Sequence, residues 1–280
     1  MESRVQKEFE SRSLLMIRAA VLGKPISHSL SPTLHRAAYQ RLGIEGEYTS
    51  FEVGEDELAP FIQSHSEGWS GFSVTMPLKE AVLEIATSID PIARRIRSAN
   101  TLIRRGRDWY ATSTDRSGFL SLLASHKLLG AHRVLIFGAG GTARAAASAL
   151  DDDGREIVIV RRSEDRDSTV RGSVERAALE LKSWQPIDIS HFDLVINTVP
   201  GNASHELALN LEGAPALIDV LYHPWPTELA KRWVDHNQLV VSGIELLIWQ
   251  GIDQITLMTG EEFDREEMFN HLFHTLVALE

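Results

Sequence analysis

An α/β fold in two lobes, each built on a parallel sheet, is predicted by three observations. Short apolar runs of strand length alternate with helix-length amphipathic stretches along the chain, the pattern left by strand–helix–strand crossovers. The connections are of ordinary length and carry Gly, Pro, Ser or Asp where turns and caps need them. A chain of 280 residues also has the length for two lobes with a sizeable core.

Composition narrows the partners. With 43% apolar and 24% charged residues, the chain has no run approaching a membrane-spanning helix. A formal charge of −11 argues against a nucleic-acid or anionic-membrane partner. Anionic ligands must then be drawn in by local clusters. The absence of cysteine excludes disulfides, thiolate catalysis and cysteine-ligated metal. That composition suits a reducing compartment, so a cytoplasmic location is expected. Residues 1–15 are mostly polar and their apolar piece is too short for a signal peptide, so a flexible, dispensable extension is expected. The histidines show no zinc-helix spacing, no metal site is expected, and no nucleophile-elbow sequence supports a hydrolase.

Met16–Leu22 reads as a buried strand, and Ser31-Pro32 as a helix start with serine as N-cap and proline at the first helical position. Ser29 and Ser31 suit plain turn and cap chemistry; two hydroxyls beside a helix N-terminus also suit a small carboxylate site. Glu47–Val53 reads as a strand and Asp56–His65 as a helix. Gly71-Phe-Ser-Val-Thr-Met-Pro-Leu-Lys79 is a strand running into a helix that starts at Pro77. Lys79 then falls in a first turn, where the macrodipole disfavours a cation. Asp90–Arg97 reads as a short basic helix, and Thr101–Arg105 with Asp108–Thr112 as a hairpin-like pair. A helix follows from Arg116 to about Leu129, and Asp115 is placed to cap it.

The second half is organised around Arg133-Val-Leu-Ile-Phe-Gly-Ala-Gly-Gly-Thr-Ala-Arg-Ala-Ala-Ala-Ser-Ala-Leu150. An apolar strand delivers the chain to the turn Gly138–Ala139–Gly140–Gly141, and an alanine-rich helix leaves from Thr142. Its unpaired amides and dipole favour a pyrophosphate, and the glycines let the phosphates approach. Ala143 is the third small position, where helix packs on strand. This strand–turn–helix context marks a Rossmann-type doubly wound parallel-sheet dinucleotide lobe. The next strand, Arg155–Val160, ends in Arg161 and Arg162, with Ser163 and Arg166 beyond. An acidic residue there would take the ribose hydroxyls of NAD; guanidinium forks instead suit the extra phosphate of NADP. Further strands are read at Asp193–Thr198, Ala216–Val220 and Leu239–Val241. A helix begins at Pro226, a long core helix after Ser242, and a last amphipathic one spans Asp264–Leu279.

Several motifs now stand in one order: Gly-Lys-Pro-Ile-Ser-His-Ser-Leu-Ser-Pro-Thr-Leu-His35, Ser-Val-Thr-Met-Pro-Leu-Lys79, Ala-Asn-Thr101, Ser-Thr-Asp115 and the Gly-Ala-Gly-Gly141 turn. Together they resemble the shikimate dehydrogenase family over essentially the whole chain after Met16. The resemblance implies NADPH-dependent, reversible reduction of 3-dehydroshikimate to shikimate, in aromatic amino-acid and chorismate biosynthesis, by a monomer or homodimer. It implies Lys79 and Asp115 as the proton-transfer pair. It implies Ser29 and Ser31 on the substrate carboxylate, with Thr75, Lys79, Asn100, Asp115, Tyr222 and Gln250 around the rest. Thr198, Val199, Pro200 and Gly243 would lie near the nicotinamide. The lobes implied are 16–114 for substrate, 115–242 for NADP, and 243–280 as helices packing back on the first. Ser73 and Ser113 stand where the family often has asparagine, and Glu245 and Leu246 where it often has glycine and methionine. A quinate/shikimate dehydrogenase, a catalytically silent NADP- or metabolite-binding regulator, and a folate-pathway dehydrogenase are the rival readings.

Overall fold

The computed structural model describes residues 16–65, 67–199 and 210–278. The expected extension at 1–15 lies outside them. The first lobe is built on a six-stranded sheet formed by β1 (Ile17–Gly23), β2 (Gly46–Glu52), β3 (Gly71–Val74), β4 (Ser88–Ile89), β5 (Thr101–Arg105) and β6 (Asp108–Thr112). Helices α1 (Ser31–Leu42), α2 (Glu55–Ser64), α3 (Leu78–Ile85) and α4 (Pro91–Arg95) connect them. The strand order is β2-β1-β3-β5-β6-β4.

This sheet is mixed, which corrects the expectation of a parallel sheet in both lobes. β1, β2 and β3 are parallel, but β5 runs antiparallel to β3 and β6 antiparallel to β5. The reason is local: Gly106 adopts a φ of +64° and turns the chain back on itself. Such a hairpin forbids a parallel continuation.

Helix α5 (Thr114–Ser125) leads to the second sheet, whose strands β7 (Arg133–Phe137), β8 (Glu156–Arg161), β9 (Ala178–Ser183), β10 (Leu194–Asn197), β11 (Ala216–Asp219) and β12 (Val240–Ser242) lie in the order β12-β11-β10-β7-β8-β9. Every pairing is parallel. This is the doubly wound arrangement, with the strand order reversing between β7 and β10. Helices α6 (Gly141–Ala149), α7 (Asp167–Gly172) and α8 (Glu228–Asp235) flank it. β4, α7 and β9 escaped the sequence reading. β9 alternates exposed and half-buried residues at the sheet edge, so it has little apolar signal.

Helix α9 (Gly243–Thr259) returns to the first lobe and packs on α5, and α10 (Arg265–Val277) packs on α9 and α1. Two glycines allow the close approach. A Cβ on Gly118 of α5 would stand 3.0 Å from the backbone nitrogen of Gln250, and one on Gly251 would stand 2.8 Å from Leu34 of α1. The core runs continuously from β1 and α1 through α5, α6 and α9, so the lobes share apolar contacts at their join. Fully buried alanines of α6, Ala143 and Ala145–Ala147, keep that helix close to both. Among the described residues no helix is long and apolar enough to cross a membrane.

Candidate active site

Lys79 sits in the first turn of α3, where unpaired amides repel a cation. What holds it there comes from elsewhere in the fold. Its Nζ donates to Asp115 Oδ2 at 2.5 Å and to Thr142 Oγ1 at 3.3 Å. Asp115 lies in the first turn of α5, where the same dipole favours a carboxylate. The capping expectation for Asp115 is corrected: Ser113 occupies the N-cap position, and the Asp115 carboxylate turns inward to Lys79 and to Asn100 Nδ2 at 2.9 Å. The side chains of Lys79 and Asp115 are 18% and 7% exposed, so the pair is shielded without being sealed.

Around this pair lies a cleft of about 410 Å³ between the lobes. Every residue expected on the substrate lines it: Ser29, Ser31, Thr75, Lys79, Asn100, Asp115, Tyr222 and Gln250. Ser31 is the first helical residue rather than the cap, because Leu30 takes the N-cap position and Ser29 Oγ accepts from the Ser31 amide at 3.3 Å. Gln250 is 8% exposed; its Oε1 accepts from Asn100 at 3.0 Å and its Nε2 donates to the Leu247 carbonyl at 2.7 Å. Tyr222 reaches in from the second lobe. Burial pushes its phenol above the ordinary value, partly offset by a hydrogen bond with the Leu30 backbone. The departures from the family pattern fall on both sides of the cleft wall. Ser73 and Leu246 line the cleft, while Glu245 turns away to His126 Nε2 at 2.6 Å. The Ser113 hydroxyl is buried without a partner among the described residues.

The nucleotide side begins at the end of β7. Gly138 has a φ of +110°, and a Cβ there would meet Thr198 Oγ1 at 2.4 Å, so the turn requires glycine twice over. Gly140 is the N-cap of α6 and brings no side chain to its first amides. Those amides have no intrahelical acceptor and remain available to an anion. Gly141 serves a second purpose, because a Cβ there would stand 2.3 Å from Ser98 Oγ of the first lobe. Gly243 is needed for packing too: a Cβ there would stand 2.2 Å from the Val220 carbonyl, although the residue also lines the cleft. Ala139 and Thr142 complete the turn, Thr142 by bonding Lys79. Thr198 Oγ1 donates to the Phe137 carbonyl at 2.7 Å, and Val199 is buried beside it. Pro200 lies outside the described residues.

The arginine cluster divides. Arg161 is committed internally: its guanidinium grips Asp167 at 2.7 and 2.8 Å and reaches Glu164 and Ser183. Ser163 donates to Asp165 at 2.6 Å. Arg162 is exposed, and Arg166 lies over the glycine turn, its Nη1 3.6 Å from where a Gly140 Cβ would be. These two forks can meet a ribose phosphate, Arg166 being held among the described residues only by a half-exposed pairing with Glu80 at 4.0 Å; Arg161 would first have to leave its bidentate grip on Asp167.

Arg144 went unnoticed in the sequence. It is fully buried under the glycine turn, donating to the Ala139, Ile96 and Arg97 carbonyls and to Glu80. Burial lowers its pKa, partly offset by Glu80. A lone cation inside an alanine run was the available signal. Among the described residues no group of three or more His, Asp or Glu could hold a metal ion.

Fold and cleft together define a class: a two-lobed α/β protein that sets an ammonium–carboxylate pair against a dinucleotide-type turn. Residues 21–102 match the family model described as the shikimate dehydrogenase substrate binding domain. The chain is 32% identical over 261 residues to the shikimate dehydrogenase (NADP(+)) of a Nostoc species, covering 86% of this chain and 90% of that protein. The crystal structure of Mycobacterium tuberculosis shikimate dehydrogenase superposes with a TM-score of 0.81 at 33% identity, covering 92% and 99% of the two chains. That of Thermus thermophilus shikimate 5-dehydrogenase in complex with NADP(H) and shikimate gives 0.79 at 28%, covering 93% and 100%. The chain belongs to the shikimate dehydrogenase family.

Proposed function

We propose that the chain is an NADP-dependent shikimate dehydrogenase, interconverting 3-dehydroshikimate and shikimate. The observation that carries this is the Lys79–Asp115 pair, 2.5 Å apart in the cleft and bonded onward to Thr142 of the nucleotide turn. NADPH, when bound, supplies the hydride. The glycine turn and the first amides of α6 would hold its pyrophosphate, and Arg162 and Arg166 its ribose phosphate. The Nostoc relative is named for NADP(+) and the Thermus thermophilus structure holds NADP(H), which supports the same cofactor.

The protein's own part is to orient the ring acid and move a proton. Lys79 donates to the developing alkoxide, and Asp115 holds the ammonium in place. Ser29 and Ser31 hold the carboxylate near the start of α1. Thr75, Asn100, Tyr222 and Gln250 take the ring hydroxyls; buried polar groups of this kind reject analogues that leave them unpaired. Residues 16–114 form the substrate lobe, 115–242 the nucleotide lobe, and 243–280 the helices that close back on the first. The cysteine-free composition supports a cytoplasmic location. The test is the appearance of NADPH absorbance on adding shikimate with NADP, with quinate and NAD as controls. Turnover of shikimate is expected, and turnover of quinate alone would move the substrate assignment.

A further inference from the structure

Gln250 and Gln254 stand one turn apart on the same face of α9, and both reach Asn100. Gln254 is 1% exposed and sits at the floor of the cleft. The Asn100 carbonyl can only accept, so the end of Gln254 that faces it at 3.2 Å is the amide nitrogen. The second hydrogen of that nitrogen goes to Thr101 Oγ1 at 2.9 Å. At the other end, Oε1 accepts from Ser73 Oγ at 2.8 Å and lies 3.3 Å from His35 Nε2. Ser73 in turn accepts from the Tyr48 hydroxyl at 2.6 Å, which leaves its own hydrogen for Gln254. Both hydrogens and both lone-pair directions of the Gln254 amide are therefore in use.

The polarity continues toward the reacting groups. Thr101 already accepts from Gln254, and its own hydrogen goes to Asn100 Oδ1 at 2.9 Å. That oxygen also accepts from the Thr114 amide at 2.8 Å, so Asn100 must present Nδ2 to Asp115. Asn100 Nδ2 has more acceptors than hydrogens. Asp115 and Thr114 stand at 2.9 Å and Gln250 at 3.0 Å. The hold of Gln250 on Asn100 is thus one that can be given up. Gln254 holds Asn100 at two points: at its carbonyl, which also accepts from the Val74 amide at 2.8 Å, and at its side chain through Thr101, whose hydroxyl, among the described residues, Gln254 alone orients.

We infer that Gln254 is a positioning residue, which keeps Asn100 and through it Asp115 in place while Gln250 exchanges Asn100 for a ligand hydroxyl. This deepens the shikimate reading of the cleft and rests on it. With its donors and acceptors fixed in this order, the buried chain from Gln254 through Thr101 to Asn100 resists displacement, and a small displacement of reacting groups is costly to rate.

The test uses Gln254→Met, which keeps the volume and removes the amide, and Thr101→Val, which removes the relay hydroxyl. Two readouts are taken. In ligand-free protein, NMR follows solvent exchange of the Asn100 side-chain amide; both variants are expected to speed it by about tenfold or more. In steady state, kcat with shikimate is expected to fall on the order of tenfold or more, with KM for NADP within about twofold of native. Unchanged amide exchange, or unchanged kcat in an active enzyme, overturns the inference, even if the melting temperature drops. Should Gln254→Met fail to fold, Thr101→Val decides alone. The NMR readout needs no turnover. Native protein inert toward shikimate would therefore contradict the proposed activity and leave Gln254 to be judged on the Asn100 amide.

Discussion

Lys79 Nζ and Thr142 Oγ1 stand 3.3 Å apart across the join of the two lobes. One residue opens the helix after β3, the other lies in the first turn of the helix after the glycine turn. A first-lobe ammonium is thereby placed beside the amides that suit a dinucleotide phosphate. The cleft makes sense as a reaction site because of this adjacency, which no single motif contains.

Cofactor choice follows from the divided arginines. Arg162→Ala and Arg166→Ala are each expected to weaken NADP binding roughly 10- to 100-fold, the loss of a charge-assisted contact of about 1.5–3 kcal/mol. NAD affinity should stay near native. Arg161→Ala should leave the NADP-to-NAD ratio alone, because its guanidinium serves Asp167. Titration of the variants with both dinucleotides checks this. Equal losses for NADP and NAD in the first two would show that they do not read the phosphate.

Gly138→Ala is expected to cost about 1–3 kcal/mol in stability from backbone strain alone, since few residues other than glycine adopt this conformation. The added methyl would also press on Thr198 Oγ1, which stands 2.4 Å from its position. Dinucleotide affinity should fall with it. Chemical denaturation and cofactor titration measure both, and native values for both would contradict the account of the turn.

His35 is fully buried, stacked on Tyr48 with ring centroids 3.9 Å apart, and burial lowers its pKa from 6.5 to about 3 despite the Gln254 hydrogen bond. The folded pKa lies below the unfolded one, so between these values the unfolded chain binds more protons. Stability present above about pH 6.5 is then lost as pH falls toward 3, at up to about 1.4 kcal/mol per pH unit. His35→Phe removes this slope. Measured across that window, the native denaturation midpoint should fall relative to that of the variant as pH drops; parallel curves would show that His35 does not carry the effect.

Much of this was legible because each motif is local. Gly138–Gly141 between a strand and an alanine-rich helix declares its turn within a dozen or so residues, and Lys79 stands out because its first-turn position is unfavourable unless a partner is brought to it. Features set by tertiary partners were not legible. Arg161 looks like its neighbours until Asp167 is folded against it. Gly141 and Gly243 read as ligand glycines, yet Ser98 and the Val220 carbonyl already demand them. Arg144 offers only the hint of a lone cation in an alanine run and Gln254 none, since the partners that give them meaning lie mostly more than forty positions away. The mixed first sheet was implicit in the hairpin at Gly106, whose consequence for strand direction outweighs the general strand–helix alternation.

The most direct test of the central claim is steady-state turnover by Lys79→Met, with NADP and shikimate affinities measured separately. Loss of general acid–base catalysis predicts a fall in kcat on the order of 10²- to 10⁴-fold, with NADP affinity near native. A variant that oxidises shikimate at the native rate would contradict the assignment of Lys79, and with it the account of the cleft as a site where the two lobes act together.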